Sequence, residues 1–282
     1  LQFLPGGAEV GAALIDLPRL GGVAFTGSTA VAHAINRALA AKDGPITPLI
    51  AETGGQNAMI VDSTALAEQV TDDVIRSGFL SAGQRCSCLR VLMLQEEIAD
   101  KQIEMIAGAM AELKLGNPSA ADTDIGPIID QAALSRLDAH LERMGKEARV
   151  VARAPEPIGV KGNYFAPALV EIDDWAMLKG EVFGPVVHVK RFKASKLKEE
   201  IAALRDLGFG LTFGLHSRIE GLTDELAAVC GCGNIYVNRN MVGAVVGVQP
   251  FGGQGLSGTG PKAGGPHYML RMAVERTKTV NT

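Results

Sequence analysis

The stretch "GGVAFTGSTAVAHAINRALAAK", residues 21–42, decides the fold. A short apolar run ends in Gly27-Ser28-Thr29 and passes directly into an alanine-rich amphipathic pattern, which reads as strand, tight turn, helix. The alternation repeats on either side of it. A helical pattern precedes the stretch, from Gly6 to about Leu17, and two apolar segments follow it, Leu49–Ala51 and Ala58–Val61, separated by the Gly54-Gly55 break. Further on, helical patterns over 64–80, 96–113, 131–145, 195–207 and 219–229 alternate with strand-like runs. Those runs lie at 88–95, near 149–152, and at 164–172, 186–192, 210–217 and 233–238. Strands alternating with helices predict an α/β fold with a mainly parallel sheet. Residues 116–130 read as a loop from their Pro, Gly and Asp content, and 243–265 as a structured glycine-rich loop region.

Composition excludes several classes of function. With 282 residues, 47% hydrophobic and 21% charged, the chain has the make-up of a soluble globular protein. The net charge of −4, with Lys and Arg scattered, offers no basic face to a nucleic acid. No apolar run is long enough to cross a membrane and no signal peptide opens the chain, so an intracellular, cytoplasmic setting is expected. The four cysteines form two C-x-C pairs, Cys86 with Cys88 and Cys230 with Cys232. They are too sparse for a disulfide scaffold and lack zinc-site spacing, so reduced thiols and no metal are expected. The chain begins "LQFLPGGAEVGAAL" without an initiator Met, and is expected to be a segment of a longer polypeptide.

Several stretches could carry chemistry. Cys86, in "FLSAGQRCSCLRV" (79–91), sits beside Arg85, where a nearby cation would lower the thiol pKa and favour a nucleophile; a buried, inert cysteine is the alternative. Glu52, in "AETGGQN", closes an apolar segment just before two glycines, a position that suits a general base or merely a solvated turn carboxylate. "FTGST" (25–29) would offer backbone N–H groups and a positive helix end to a phosphate. No G-x-G-x-x-G fingerprint accompanies it, and a plain N-cap by Ser28 or Thr29 explains the residues equally well. "GEVFGPVVHV" (180–189), with Glu181 and Phe183, and "GVQPFGGQGLSGTGPKAGG" (247–265) complete the set.

Taken together and in this order, these motifs resemble the NAD(P)-dependent aldehyde dehydrogenases over essentially the whole chain. "FTGST", the E-T-G-G stretch with Glu52, "FLSAGQRC" with Cys86, "EVFGP" and "PFGG" followed by Ser-Gly all match, including the 34-residue step from Glu52 to Cys86. The resemblance implies an aldehyde dehydrogenase-like α/β fold. Residues 1–53 would be the C-terminal part of a Rossmann-type nucleotide-binding domain, 54–256 an α/β catalytic domain, and 257–282 a return segment with an oligomerisation strand. It implies Cys86 as the nucleophile that forms a thiohemiacetal and then a thioester, and Glu52 as the base for hydrolysis. NAD would be the cofactor, with NADP left open. Gly27 and Ser28 would lie by its diphosphate, Thr53 would join the cofactor contacts, Glu181 would hold the nicotinamide ribose, and Phe183 would pack nearby.

"NRNMVGAVVGVQPFGG" and "SGTGPKAGGPHYMLR" are similar to the glutamate γ-semialdehyde dehydrogenase module of bacterial bifunctional proline utilisation A proteins. That similarity implies a small aldehyde substrate whose α-carboxylate is held by the Ser87 hydroxyl and by backbone N–H groups of Gly243 and Ala244, with Phe251 flanking its short chain. It further implies a homo-oligomer, a proline dehydrogenase domain fused to or paired with this one, and contact with the inner membrane through another domain. Ala32 stands where the family usually has glycine. The family's oxyanion Asn and adenosine-ribose Lys would lie upstream of residue 1. Three other readings stay open from the sequence: a dehydrogenase for a different small aldehyde, a cysteine hydrolase with a His partner, and a non-catalytic scaffold. The five histidines, at 33, 140, 188, 216 and 267, fall in no Cys-His pattern.

Overall fold

The computed structural model describes residues 1–282. In chain order the elements are α1 (Ala8–Ile15), β1 (Val23–Thr26), α2 (Thr29–Ala40), β2 (Leu49–Glu52), β3 (Ala58–Val61), α3 (Ala67–Phe79), β4 (Val91–Gln95) and α4 (Glu96–Ala111). There follow α5 (Gln131–Glu147), β5 (Arg149–Arg153), β6 (Ala168–Glu171), β7 (Val186–Phe192), α6 (Leu197–Asp206), β8 (Phe209–Gly210), β9 (Thr212–His216), α7 (Leu222–Val229), β10 (Asn234–Val237) and β11 (Gln254–Gly255).

Seven strands form one sheet in the order β10-β9-β3-β4-β7-β6-β5, parallel throughout except for the antiparallel edge pair β5–β6. Its central strands are apolar without alternation: every residue of "AMIV" in β3 and of "VLMLQ" in β4 is buried. Continuous burial is what a parallel strand covered by helices on both faces requires. β1 and β2 form a separate parallel pair, with Thr26 opposite Glu52. There β1 alternates between half-buried and exposed residues, as a strand covered on one face does. β8 and β11 make a short antiparallel pair, and the loop after β11 returns to β2 through an isolated bridge between Glu52 and Gly258. The two-stranded sheet ends at Glu52 and the seven-stranded sheet begins at Ala58, on either side of the expected boundary at residues 53 and 54.

The structure trims several expected elements. The helix expected from Gly6 to Leu17 spans only Ala8–Ile15. The strand expected at 88–95 begins at Val91, because Leu89 N–H is committed to Ser77 O outside the ladder. The strand expected at 164–172 covers only Ala168–Glu171, since Pro167 has no N–H to give a neighbour. The run at 210–217 divides into β8 and β9, and the helix expected at 219–229 starts at Leu222. Residues 273–282 form no strand within this chain. Two helices start on side-chain caps: Ser28 Oγ accepts from Val31 N–H at 3.3 Å for α2, and Asp130 Oδ1 accepts from Ala133 N–H at 2.7 Å for α5. No helix is long and apolar enough to cross a membrane.

Candidate active site

A cavity of about 1260 Å³ opens where the C-terminal ends of β1 and β2 meet the loops that lead into β4 and β7 and the glycine-rich loop after β10. Cys86 and Ser87 line it from the loop before β4, and Glu181 and Phe183 from the loop before β7. Gly27 and Ser28 enter from the β1–α2 turn, Glu52 and Thr53 from the end of β2, and Gly243, Ala244 and Phe251 from the glycine-rich loop. All eleven residues singled out from scattered motifs therefore share one cavity.

The nucleophile loop is held at every side. Asn57 Nδ2 donates to Cys86 O at 2.6 Å and to Cys88 O at 2.8 Å, while its Oδ1 accepts from Thr212 N–H at 3.1 Å. Ser81, Ala82 and Gly83 are consecutively left-handed, with φ of 56°, 52° and 63°. Such a run costs conformational energy at the two non-glycine positions and persists only where the surroundings enforce it. At Gly83 a side chain is ruled out as well, because a Cβ would collide with the Gly184 carbonyl.

Burial, followed by the nearby Glu181 carboxylate, raises the Cys86 thiol above the ordinary cysteine range. This corrects the expectation that Arg85 lowers it: Arg85 Nε instead donates to Ser81 Oγ at 3.0 Å. Glu52 is pushed by burial up to about 7, against the Gly253 N–H bonded to its Oε2 at 3.2 Å and the charge of Lys262. Its Oε1 is buried without a partner. A carboxyl that titrates near neutrality with one oxygen free is suited to exchanging a proton with a reacting group. No histidine lines the cavity, so the Cys-His arrangement of a cysteine hydrolase is not assembled around Cys86.

The opposite end of the cavity suits a nucleotide. Thr29 and Ala30 open α2 there, where first-turn N–H groups lack intrahelical acceptors and the helix dipole is positive. Gly27 N–H donates to Glu52 O at 3.1 Å, so Gly27 supplies room and not a donor. The Thr53 hydroxyl likewise donates to Leu256 O, at 2.5 Å, and braces the loop. Ser28 caps α2 and also lines the cavity. The Glu181 carboxylate lies against the Gly54-Gly55 backbone so closely that a Cβ at Gly54 would occupy its place.

The family model described as "Aldehyde dehydrogenase family" matches residues 1–280. The chain belongs to the aldehyde dehydrogenase family. Among its relatives, "Bifunctional protein PutA" of Escherichia coli (strain K12) is 52% identical over 289 residues, covering 99% of this chain and 22% of that protein. A crystal structure of bifunctional proline utilization A superposes with a TM-score of 0.93 at 57% identity, over 96% of this chain and 28% of that one. The 1-pyrroline-5-carboxylate dehydrogenase from Thermus with bound NAD superposes with a TM-score of 0.88 at 31% identity, over 96% of this chain and 53% of that one. This aldehyde dehydrogenase chain thus spans between about a fifth and about half the length of the relatives it matches.

Sequence reading missed several residues of this aldehyde dehydrogenase site. Asn57 and Arg90 anchor its loops without lining the cavity, and only Arg90, a lone charge inside the apolar run "CLRVLML", left a signal. Arg136 reaches the cavity from α5 and Phe209 from β8, neither marked by any motif. Cys88 is buried, with burial raising its thiol, and Cys232 Sγ lies 3.6 Å from Cys230 O away from the cavity.

Proposed function

We propose that the cavity is the active site of an NAD-dependent dehydrogenase that oxidises L-glutamate γ-semialdehyde to L-glutamate by covalent catalysis on Cys86. The observation that carries this reading is the convergence of eleven residues from separate motifs on one cavity of about 1260 Å³. Support comes from relatives described as 1-pyrroline-5-carboxylate dehydrogenases, one of them a structure with bound NAD.

Each residue then has a task. The Cys86 thiol, raised by burial, is protonated at rest, so its proton passes to the aldehyde oxygen as sulfur bonds the carbonyl carbon, which gives the neutral thiohemiacetal. NAD, when bound, would supply the acceptor for the hydride on that carbon, and the hydroxyl proton would be lost as the Cys86 thioester forms. Glu52, titrating at about 7, takes a proton from the water that attacks the thioester, which releases the free acid and the Cys86 thiolate. Glu181 accepts from the cofactor's ribose hydroxyls, Phe183 packs beside them, and the α2 first turn with Ser28 receives the diphosphate. The Ser87 hydroxyl and the N–H groups of Gly243 and Ala244 hold the substrate carboxylate, with Phe251 against its methylenes.

The whole polypeptide, on this reading, joins the dehydrogenase to a proline dehydrogenase domain that supplies its substrate, works as a homo-oligomer, and resides in the cytoplasm. The test is NADH formation by the full-length polypeptide from pyrroline-5-carboxylate and from simple aliphatic aldehydes. A clear preference for pyrroline-5-carboxylate is expected, and equal rates would defeat the substrate assignment.

A further inference from the structure

Arg90 is fully buried, yet it is not part of the apolar core in any ordinary sense. Its Nη1 donates to Gly83 O at 2.8 Å and to Gly184 O at 3.1 Å, and its Nη2 to Arg85 O at 3.1 Å and to Glu181 Oε1 at 3.2 Å. Gly83 and Arg85 belong to the loop that presents Cys86; Glu181 and Gly184 belong to the loop that presents Glu181 and Phe183. The guanidinium carbon also sits 5.3 Å from the Phe183 ring centroid. One planar fork therefore makes four bonds across both loops, more than the three donors of a single ammonium nitrogen can supply.

The backbone behind this fork is fixed by two histidines that the proposed chemistry does not use. Arg90 O accepts from His188 N–H at 2.8 Å, and His188 Nδ1 lies 3.1 Å from the same oxygen. A carbonyl only accepts, so Nδ1 carries the proton and Nε2 of His188 is an acceptor. His140 Nε2, 2.9 Å away, must then be the donor, which leaves His140 Nδ1 facing Arg143 Nη2 at 3.5 Å. The bonds run in one direction, from Arg143 through both rings to Arg90. Burial keeps both rings neutral, lowering His140 to about 4 and His188 to about 3.

The geometry points to Arg90 as a positioning residue. It locks the strained Ser81–Gly83 approach to Cys86 onto the loop that carries Glu181, with the His188–His140 pair as the strut behind it. This rests on the roles assigned above to Cys86 and Glu181. A left-handed run needs neighbours that over-determine it, and the Arg90 bond to Gly83 O is such a constraint. Coupling the two loops fixes the nucleophile relative to the cofactor, where a misplacement of about 1 Å can cost on the order of 100-fold in rate.

The test uses Arg90→Lys in the full-length polypeptide, with Lys190→Met as a stability control. The control removes the partner of Glu200, 3.8 Å away, which lines no part of the cavity. For Arg90→Lys, kcat should fall on the order of 10- to 100-fold and the KM for NAD should rise, because both loops are released. The control should lower the thermal midpoint while leaving both constants near wild type. If Arg90→Lys does not fold, His140→Leu carries the test, with smaller changes in the same two constants. Wild-type kcat and KM in whichever variant folds would overturn the proposal. Cys86→Ala, measured alongside, separates the two claims: retained oxidation there refutes the functional reading, whereas its loss beside an unaffected Arg90→Lys refutes only the clamp.

Discussion

The two sheets that meet at the cavity are held to different standards. In the seven-stranded sheet β3 and β4 are buried along their whole length, and the loop carrying Cys86 is bonded by Asn57, Arg90 and its own left-handed turns. In the two-stranded sheet β1 is half exposed, and Leu14 and Val31 nearby are open to solvent in an apolar cleft of about 890 Å³. Glu52, at the end of that sheet, keeps one N–H bond and one free oxygen. The contrast matches the chemistry proposed for each side. A nucleophile must be fixed in attack geometry, whereas a base must exchange protons and so cannot be saturated with donors.

The largest effect should come from the rigid side. Cys86→Ala is expected to reduce aldehyde oxidation by a factor on the order of 10⁴ or more while NAD binding, followed by calorimetry, stays close to wild type. Replacing the base, Glu52→Gln, should cost about 10²- to 10⁴-fold in steady-state turnover. Wild-type kcat should decline as pH drops below about 7, where Glu52 takes up its proton, and this limb should be missing from the variant.

The same residue makes a stability prediction with a definite sign. Its folded pKa of about 7 exceeds the ordinary 4.5, so between those values the folded state binds more protons than the unfolded one. Stability from this group is thus full at low pH and is lost as pH rises toward 7. Thermal midpoints should show the wild type losing ground to Glu52→Gln across that window; parallel curves would contradict the buried, desolvated carboxyl.

Packing should separate the two sheets directly. Leu92→Ala, at a fully buried position of β4, is expected to cost about 2–5 kcal/mol in denaturant unfolding, against about 0.5 kcal/mol or less for Val31→Ala on the exposed face of α2. Equal costs would remove the contrast. Smaller than the Leu92 effect, Ser28→Ala should cost about 1 kcal/mol through loss of the α2 N-cap and should raise the KM for NAD without changing kcat.

How much of this was legible in the sequence depended on how local the signal was. The alternation of apolar runs and amphipathic stretches exposed the α/β plan, because the central strands β3 and β4 of the parallel sheet carry the uninterrupted apolar words "AMIV" and "VLML". Boundaries moved where a single backbone group decided them, as at Pro167 or at Leu89, whose N–H turns away to Ser77. Eleven cavity-lining residues were legible through their motifs, whereas Arg136 and Phe209, on α5 and β8, were not. Asn57 left no signal and Arg90 showed only as a lone charge in an apolar run, because the groups they bond are brought near them only by folding. The Cys86 environment was misjudged for a related reason: adjacency in sequence to Arg85 says nothing about where that guanidinium points, and it points to Ser81.

The central claim is that Cys86 forms a thioester that Glu52 helps to hydrolyse, and its intermediate can be seen directly. In full-length Glu52→Gln, mixed with NAD and pyrroline-5-carboxylate and quenched in acid, deacylation should be slow enough for the acyl-enzyme to accumulate. Peptide mass spectrometry should then find a glutamyl thioester on Cys86 and none on Cys88. NADH formation with Cys86 unmodified, or an adduct carried by Cys88, would contradict the account.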